Sequence, residues 1–274
     1  MIQIKNAKEL DGMRRANALS AAALKYGGEH IEAGMTTWEL DKLIYDFIVK
    51  HGGIPNFKGL YGFPGTACIS LNDTVIHGIP SHDIVIRPGD IVSIDTGAKV
   101  DGFNGDNACT YAVGKVDLEA QRLLEVTKAS LYKGIEQAVA GNRIGDIGYA
   151  VQSYCEDAGF SVVRDFVGHG TGKELHEDPE VPSDIYVPGT DTTTDRGPMG
   201  QIAERIFSYV DPGIDVPAPL NATPIESGLD LAGAETIADD ANPLAAPAAP
   251  QKDFNAVSYL LVVLATLCLA ATSI

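Results

Sequence analysis

The chain has 274 residues, a hydrophobic fraction of 45% and a formal net charge of −17. That composition supports a buried core in one or two domains. So negative a balance excludes a nucleic-acid or anionic-membrane partner held by bulk electrostatics. The four cysteines, Cys68, Cys109, Cys155 and Cys268, include no C-x-x-C pair. A zinc finger or redox motif is therefore not supported, and small buried hydrophobes in a reducing compartment are expected. Met1 to Lys5 lacks the apolar stretch of a secretory signal.

Elements follow in order along the first two thirds. A helix is predicted from Lys8 to Tyr26, capped by Asn6 and closed at Gly27-Gly28. A second begins at the capping box Thr36-Thr37-Trp38-Glu39 and ends at Gly52-Gly53. Ala67 to Leu71 reads as a strand, and Ile84 to Asp90 as extended chain entering a turn. Ile91 to Lys99 and Asp106 to Val113 read as strands joined across Asp101-Gly102, a hairpin turn signal. Asp117 caps a long helix toward Ala140, and Ile147 to Ala158 is another, closed by Gly159. The class is α+β, with helices packed on a sheet.

The chain changes character after Pro182. Residues 183–274 hold 3 Lys/Arg against 12 Asp/Glu and nine of the fifteen prolines. We expect residues 1–182 to form one domain and 183–255 to be an acidic, Pro/Ala-rich, largely unstructured segment. Residues 256–274 are an apolar terminal segment with no charge, either a helix that packs on the domain or a bilayer anchor.

The residues that could do chemistry begin with Asp95 and Asp106. With a turn near Asp101 they fall about opposite each other on neighbouring strands, where two bare carboxylates repel unless a cation lies between them. The pair could bridge two divalent ions; the plainer alternative is one Asp capping a turn and one facing solvent. Phe103 stands where an EF-hand loop needs an oxygen ligand. His169 sits between glycines in Gly168-His169-Gly170, a setting that suits a ligand loop, although a hydrogen-bonded structural histidine is the alternative. His176 follows it, and His77 sits in a second loop bounded by Gly and Pro. His30, His51 and His82 read as surface residues.

Gly62-Phe63-Pro64-Gly65-Thr66-Ala67-Cys68, Val75-Ile76-His77-Gly78-Ile79-Pro80, Asp90 to Asp95, Gly105-Asp106, Phe166 to Gly170 and His176-Glu177-Asp178-Pro179 occur in one order over residues 1–182. In these segments the chain closely resembles the type I methionine aminopeptidases, in the M24 metallopeptidase family. The resemblance implies a pita-bread fold and two divalent metal ions, drawn from Co, Mn, Fe, Zn and Ni. It implies Asp95, Asp106 and His169 as metal ligands, His77 and His176 as substrate-contacting residues, and Cys68 and Phe63 in the methionine pocket. In the implied reaction a metal-activated water attacks the first peptide carbonyl, and His176 stabilises the oxyanion. The implied partners are the N-terminal peptides of nascent proteins, met in the cytoplasm by a monomer, with membrane association through 256–274 as the alternative location.

The family's last two glutamate ligands have no matching segment after Val181-Pro182. Glu204, Glu226 and Glu235 stand in other contexts, and none takes a ligand role. Weak or absent turnover is the expectation. A catalytically dead peptide-binding member and a fused or frameshifted fragment are the alternative readings.

Overall fold

The computed structural model describes residues 2–163 and 166–182, and the backbone of Thr272–Ser273. The expectations for 183–255 and for 256–274 thus lie outside the described residues, apart from that dipeptide.

Helix α1, Ala7–Glu29, starts where the Asn6 side chain accepts the Glu9 N–H and the Glu9 carboxylate accepts the Asn6 N–H, each at 3.0 Å. Helix α2, Thr37–Lys50, repeats the device with Thr36 and Glu39. Each capping box satisfies two amides that the first turn leaves without partners. Gly27-Gly28 does not close α1, which runs on to a C-cap at His30. Gly27 is instead a notch for Ile44 and Gly28 a notch for the Tyr111 ring. His51 is buried rather than on the surface. It caps α2, and its Nδ1 lies 2.7 Å from the Phe47 carbonyl.

The sheet is antiparallel. Its centre is β3, Ile91–Val100, paired along one edge with β4, Phe103–Ala112. The other edge is shared by the short β1, Ile54–Pro55, and by β2, Ala67–Leu71. Asp101 and Gly102 both have positive φ, 50° and 85°, as a two-residue hairpin turn whose twist matches its strands requires. β4 therefore starts at Phe103, three residues earlier than the sequence suggests, because the chain re-enters the ladder directly after a two-residue turn.

Side chains alternate across β3. Val92, Ile94 and Ala98 are buried with Leu19, Ala23, Leu40, Ile44 and Ile48 in the core between the sheet and α1/α2. The odd residues, Asp95 among them, face the opposite side. A second core joins α3, Leu118–Gln137, and α4, Ile144–Asp157, with Phe160, Val162 and Val181. Asp117 caps α3 as expected, but α3 ends at Gln137 and α4 opens at Ile144 rather than Ile147. Short strands complete the described chain. β5, Phe160–Ser161, pairs with β8, Thr272–Ser273, and β6, Val167–Gly170, pairs with β7, Glu177–Pro182.

Gly105 shows how tightly α1 lies on the hairpin. A Cβ there would overlap the carbonyl of Ala16, a backbone group in mid-helix that has no rotamer to yield. Gly105→Ala is expected to destabilise the protein by roughly 1–3 kcal/mol, read from the urea midpoint. A change below a few tenths of a kcal/mol would show that α1 is free to shift.

Candidate metal and substrate site

The site lies on the face of the hairpin that points away from α1. Asp95 pairs in register with Ala108 and with Cys68, and Asp106 pairs with Gly97. The two carboxylates are thus not opposite each other but offset by two residues, since a turn centred between 101 and 102 sends residue 95 to 108. They share a face as diagonal neighbours, within reach of each other's side chains. The two carboxyls act on each other directly, each shifting the other's titration.

Burial raises both acids. It holds Asp95 at about 7, and Asp106, 6% exposed, well above the usual carboxylate range, with the Asp95 charge adding to the effect. Asp106 is braced from α1, where the buried Asn17 accepts its backbone N–H at 3.3 Å. Asn17 is a polar residue on the buried face of an amphipathic helix. That mismatch was the available signal for it, and reading the sequence alone passed over it.

β6 carries His169 to the carboxylates. Its Nε2 stands 3.7 Å from Asp106 Oδ2. Its Nδ1 lies 2.9 Å from the Gly170 carbonyl, and the N–H placed there leaves the Nε2 lone pair facing the acids. Burial lowers the pKa of His169, favouring the neutral ring that a metal ligand needs. Among the described residues, His169 is the only basic side chain in ion-pair range of either carboxylate.

His176 leans on His169, ring centroids 4.4 Å apart and edge to face. Burial, then the nearby His169 and His77, push its pKa down, so it too is neutral near pH 7. His77 is solvent-exposed on a loop with φ 57°, its ring edge-on to Phe166 at 6.2 Å. Cys68 and Phe63 meet Phe57, Leu60 and Leu175 in a small apolar cluster beside the acids. Asp41 of α2 pins the start of β2, accepting the Thr66 and Ala67 N–H groups at 2.7 and 2.8 Å. It was not singled out, because its partners lie 25 and 26 residues away.

The donor set fits a divalent cation. The buried Asp106 and half-buried Asp95 carboxylates, of like charge, converge with a neutral imidazole whose free nitrogen faces them. Yet among the described residues no group of three or more His, Cys, Asp and Glu side chains is arranged to hold an ion by itself. The expectation of further glutamate ligands falls after residue 182, outside the described residues.

An antiparallel hairpin bearing paired acids, a histidine loop against them and helices on the far face are the layout of a metallopeptidase. The model of "Metallopeptidase family M24" matches residues 11–204, and the chain belongs to that family. It is 46% identical over 216 residues to the methionine aminopeptidase of Clostridium acetobutylicum, covering 79% of this chain and 83% of the relative. It is 48% identical over 182 residues to methionine aminopeptidase 1 of Bacillus subtilis, covering 66% and 73%. Among solved structures, the methionine aminopeptidase of Thermotoga maritima superposes with a TM-score of 0.67 at 41% identity, over 70% of this chain and 77% of that one. The prolidase of Pyrococcus furiosus, at 22% identity and a TM-score of 0.58, shares the fold, covering 66% of this chain and 52% of its own. The fold is the pita-bread fold of these enzymes.

Proposed function

We propose that this chain is a metal-dependent aminopeptidase that removes the N-terminal methionine from nascent peptides. The observation that carries the reading is the unbroken series Asp95–Asp106–His169–His176, with an apolar cluster beside it. Asp95, Asp106 and His169 would hold divalent metal, two ions by analogy with the family. Such metal supplies an activated water at neutral pH and polarises the carbonyl it touches.

The protein's own contributions are separate from that chemistry. Phe63 and Cys68, with Phe57 and Leu175, offer an apolar, polarisable wall to a thioether side chain. His176, neutral, donates a ring N–H to the substrate carbonyl oxygen as that oxygen gains charge. His77, on its exposed loop, contacts the peptide at the mouth of the site. All these residues come from one chain, so a monomer suffices. The cytoplasm, where nascent N-termini emerge, is the matching location. Among the described residues no helix is long and apolar enough to cross a membrane.

The test is release of free methionine from Met-Ala-Ser by the full chain, supplied in turn with Mn, Co, Fe, Zn and Ni. Turnover below the enzyme median of ~10 s⁻¹ is expected, abolished by chelator, with Ala-Ala-Ser left intact. Silence with all five ions, or equal cleavage of both peptides, would overturn the reading.

A further inference from the structure

The segment carrying His176 has little regular structure of its own, and elements far away in sequence hold it. Between Thr171 and Glu177 the chain makes bends rather than strand or helix. Asn104 of β4 grips its near end: the Asn104 N–H and Nδ2 donate to the Gly172 carbonyl at 2.8 and 3.1 Å, and Nδ2 donates to the Lys173 carbonyl at 2.9 Å. The far end is held by Glu177. One carboxylate oxygen accepts the Glu174 N–H at 3.1 Å, folding the bend back on itself. The other accepts from Lys5 Nζ.

The Lys5–Glu177 pair is buried, with 7% and 8% of the two side chains exposed. It joins residues 172 apart in sequence, from the arm that precedes α1 to the residue directly after His176. Gly172 packs against the same carboxylate, where a Cβ would come within 2.5 Å of Oε1. The exposed Glu9–Lys173 pair, 3.3 Å long, repeats the bridge in reverse polarity and is screened by water. Two residues of the N-terminal segment therefore clasp the bend at its two ends.

We propose that Lys5 is a positioning residue for the reaction: through Glu177 it fixes the bend that sets the His176 ring against His169. The proposal rests on the role given above to His176. A lone buried carboxylate is strongly disfavoured, so without Lys5 the Glu177 side chain turns toward water. It then releases the Glu174 N–H, and the His176 ring loses its fixed place. A misplacement of about 1 Å caused from outside the chemistry costs on the order of 10²-fold in rate.

The experiment compares Lys5→Met and Lys5→Arg in the full chain on Met-Ala-Ser, with amide hydrogen exchange on the same samples. Lys5→Met should lower kcat by about 10- to 100-fold with KM within about twofold. Its faster exchange should be confined to residues 172–177, and Lys5→Arg should recover much of both. A folded Lys5→Met with unchanged kcat overturns the proposal, as does acceleration spread over the α1/α2 core. If Lys5→Met does not fold, Glu177→Gln, which keeps an acceptor but no charge, takes its place under the same criteria. If the native chain turns over no peptide, the functional reading fails on its own, and exchange confined to 172–177 still decides whether Lys5 holds the bend.

Discussion

Asp106→Asn is expected to lower kcat/KM on Met-Ala-Ser on the order of 10³-fold while making the metal-free protein more stable. The activity loss follows from removing a charged oxygen donor from the proposed metal site. Metal contributes several kcal/mol to such reactions, and each ~1.4 kcal/mol is tenfold in rate. The stability gain follows from burial. In the metal-free protein Asp95 and Asp106 compete for one sheltered space, and both are held above the range of an unfolded carboxylate, near 4.

The sign follows from proton counting. Between about pH 4 and 7 the folded chain keeps protons that the unfolded chain has released. Metal-free stability therefore falls as pH rises from about 4, and the Asp95 share of that loss is complete above about 7. Asp106→Asn removes one of the two acids. Its melting temperature without metal should exceed that of the native chain at pH 8, and the two should converge toward pH 4. Added divalent ion should stabilise the native chain more than the variant, since only tight binding to the folded state raises the transition. Retained metal-dependent turnover, or a metal-free variant that melts below the native chain at pH 8, would remove Asp106 from the metal shell.

His176→Ala is expected to lower kcat by about 10²- to 10³-fold, the loss typical of one donor to a developing oxyanion. KM should change little, because the bond strengthens only as the carbonyl oxygen gains charge. His176 is solvent-exposed, so the fold should be stable within about 0.5 kcal/mol. His176→Gln, which keeps an N–H on a longer stem, should recover part of the rate. Stopped-flow turnover at saturating peptide, paired with thermal melts, makes the measurement. A rise in KM at constant kcat would reassign His176 to ground-state binding.

What the sequence determined by itself is local. Asn6 with Glu9 and Thr36 with Glu39 mark their helix starts because a capping box closes hydrogen bonds within four residues. Asp101-Gly102 marks its turn because few residue pairs accept positive φ twice. The same turn put Asp95 and Asp106 on neighbouring strands of one hairpin. The motif segments named the family and the residues to watch.

The tertiary structure decided what depends on packing between distant segments. Gly27-Gly28 reads as a helix stop, yet it serves as a pair of notches, a fact carried by Ile44 and Tyr111 rather than by the glycines. The two-residue offset of Asp95 and Asp106 came from a turn centred one position later than direct opposition would need. His51, read as a surface residue, is a buried cap because Phe47 and the end of α2 enclose it. Lys5 against Glu177 had no local signature, and Asn17 under Asp106 had only its place on the buried face of α1. A polar side chain is indistinguishable from a solvated one until the fold chooses which surfaces meet, and that choice rests on burial summed over the whole core rather than on any short stretch of chain.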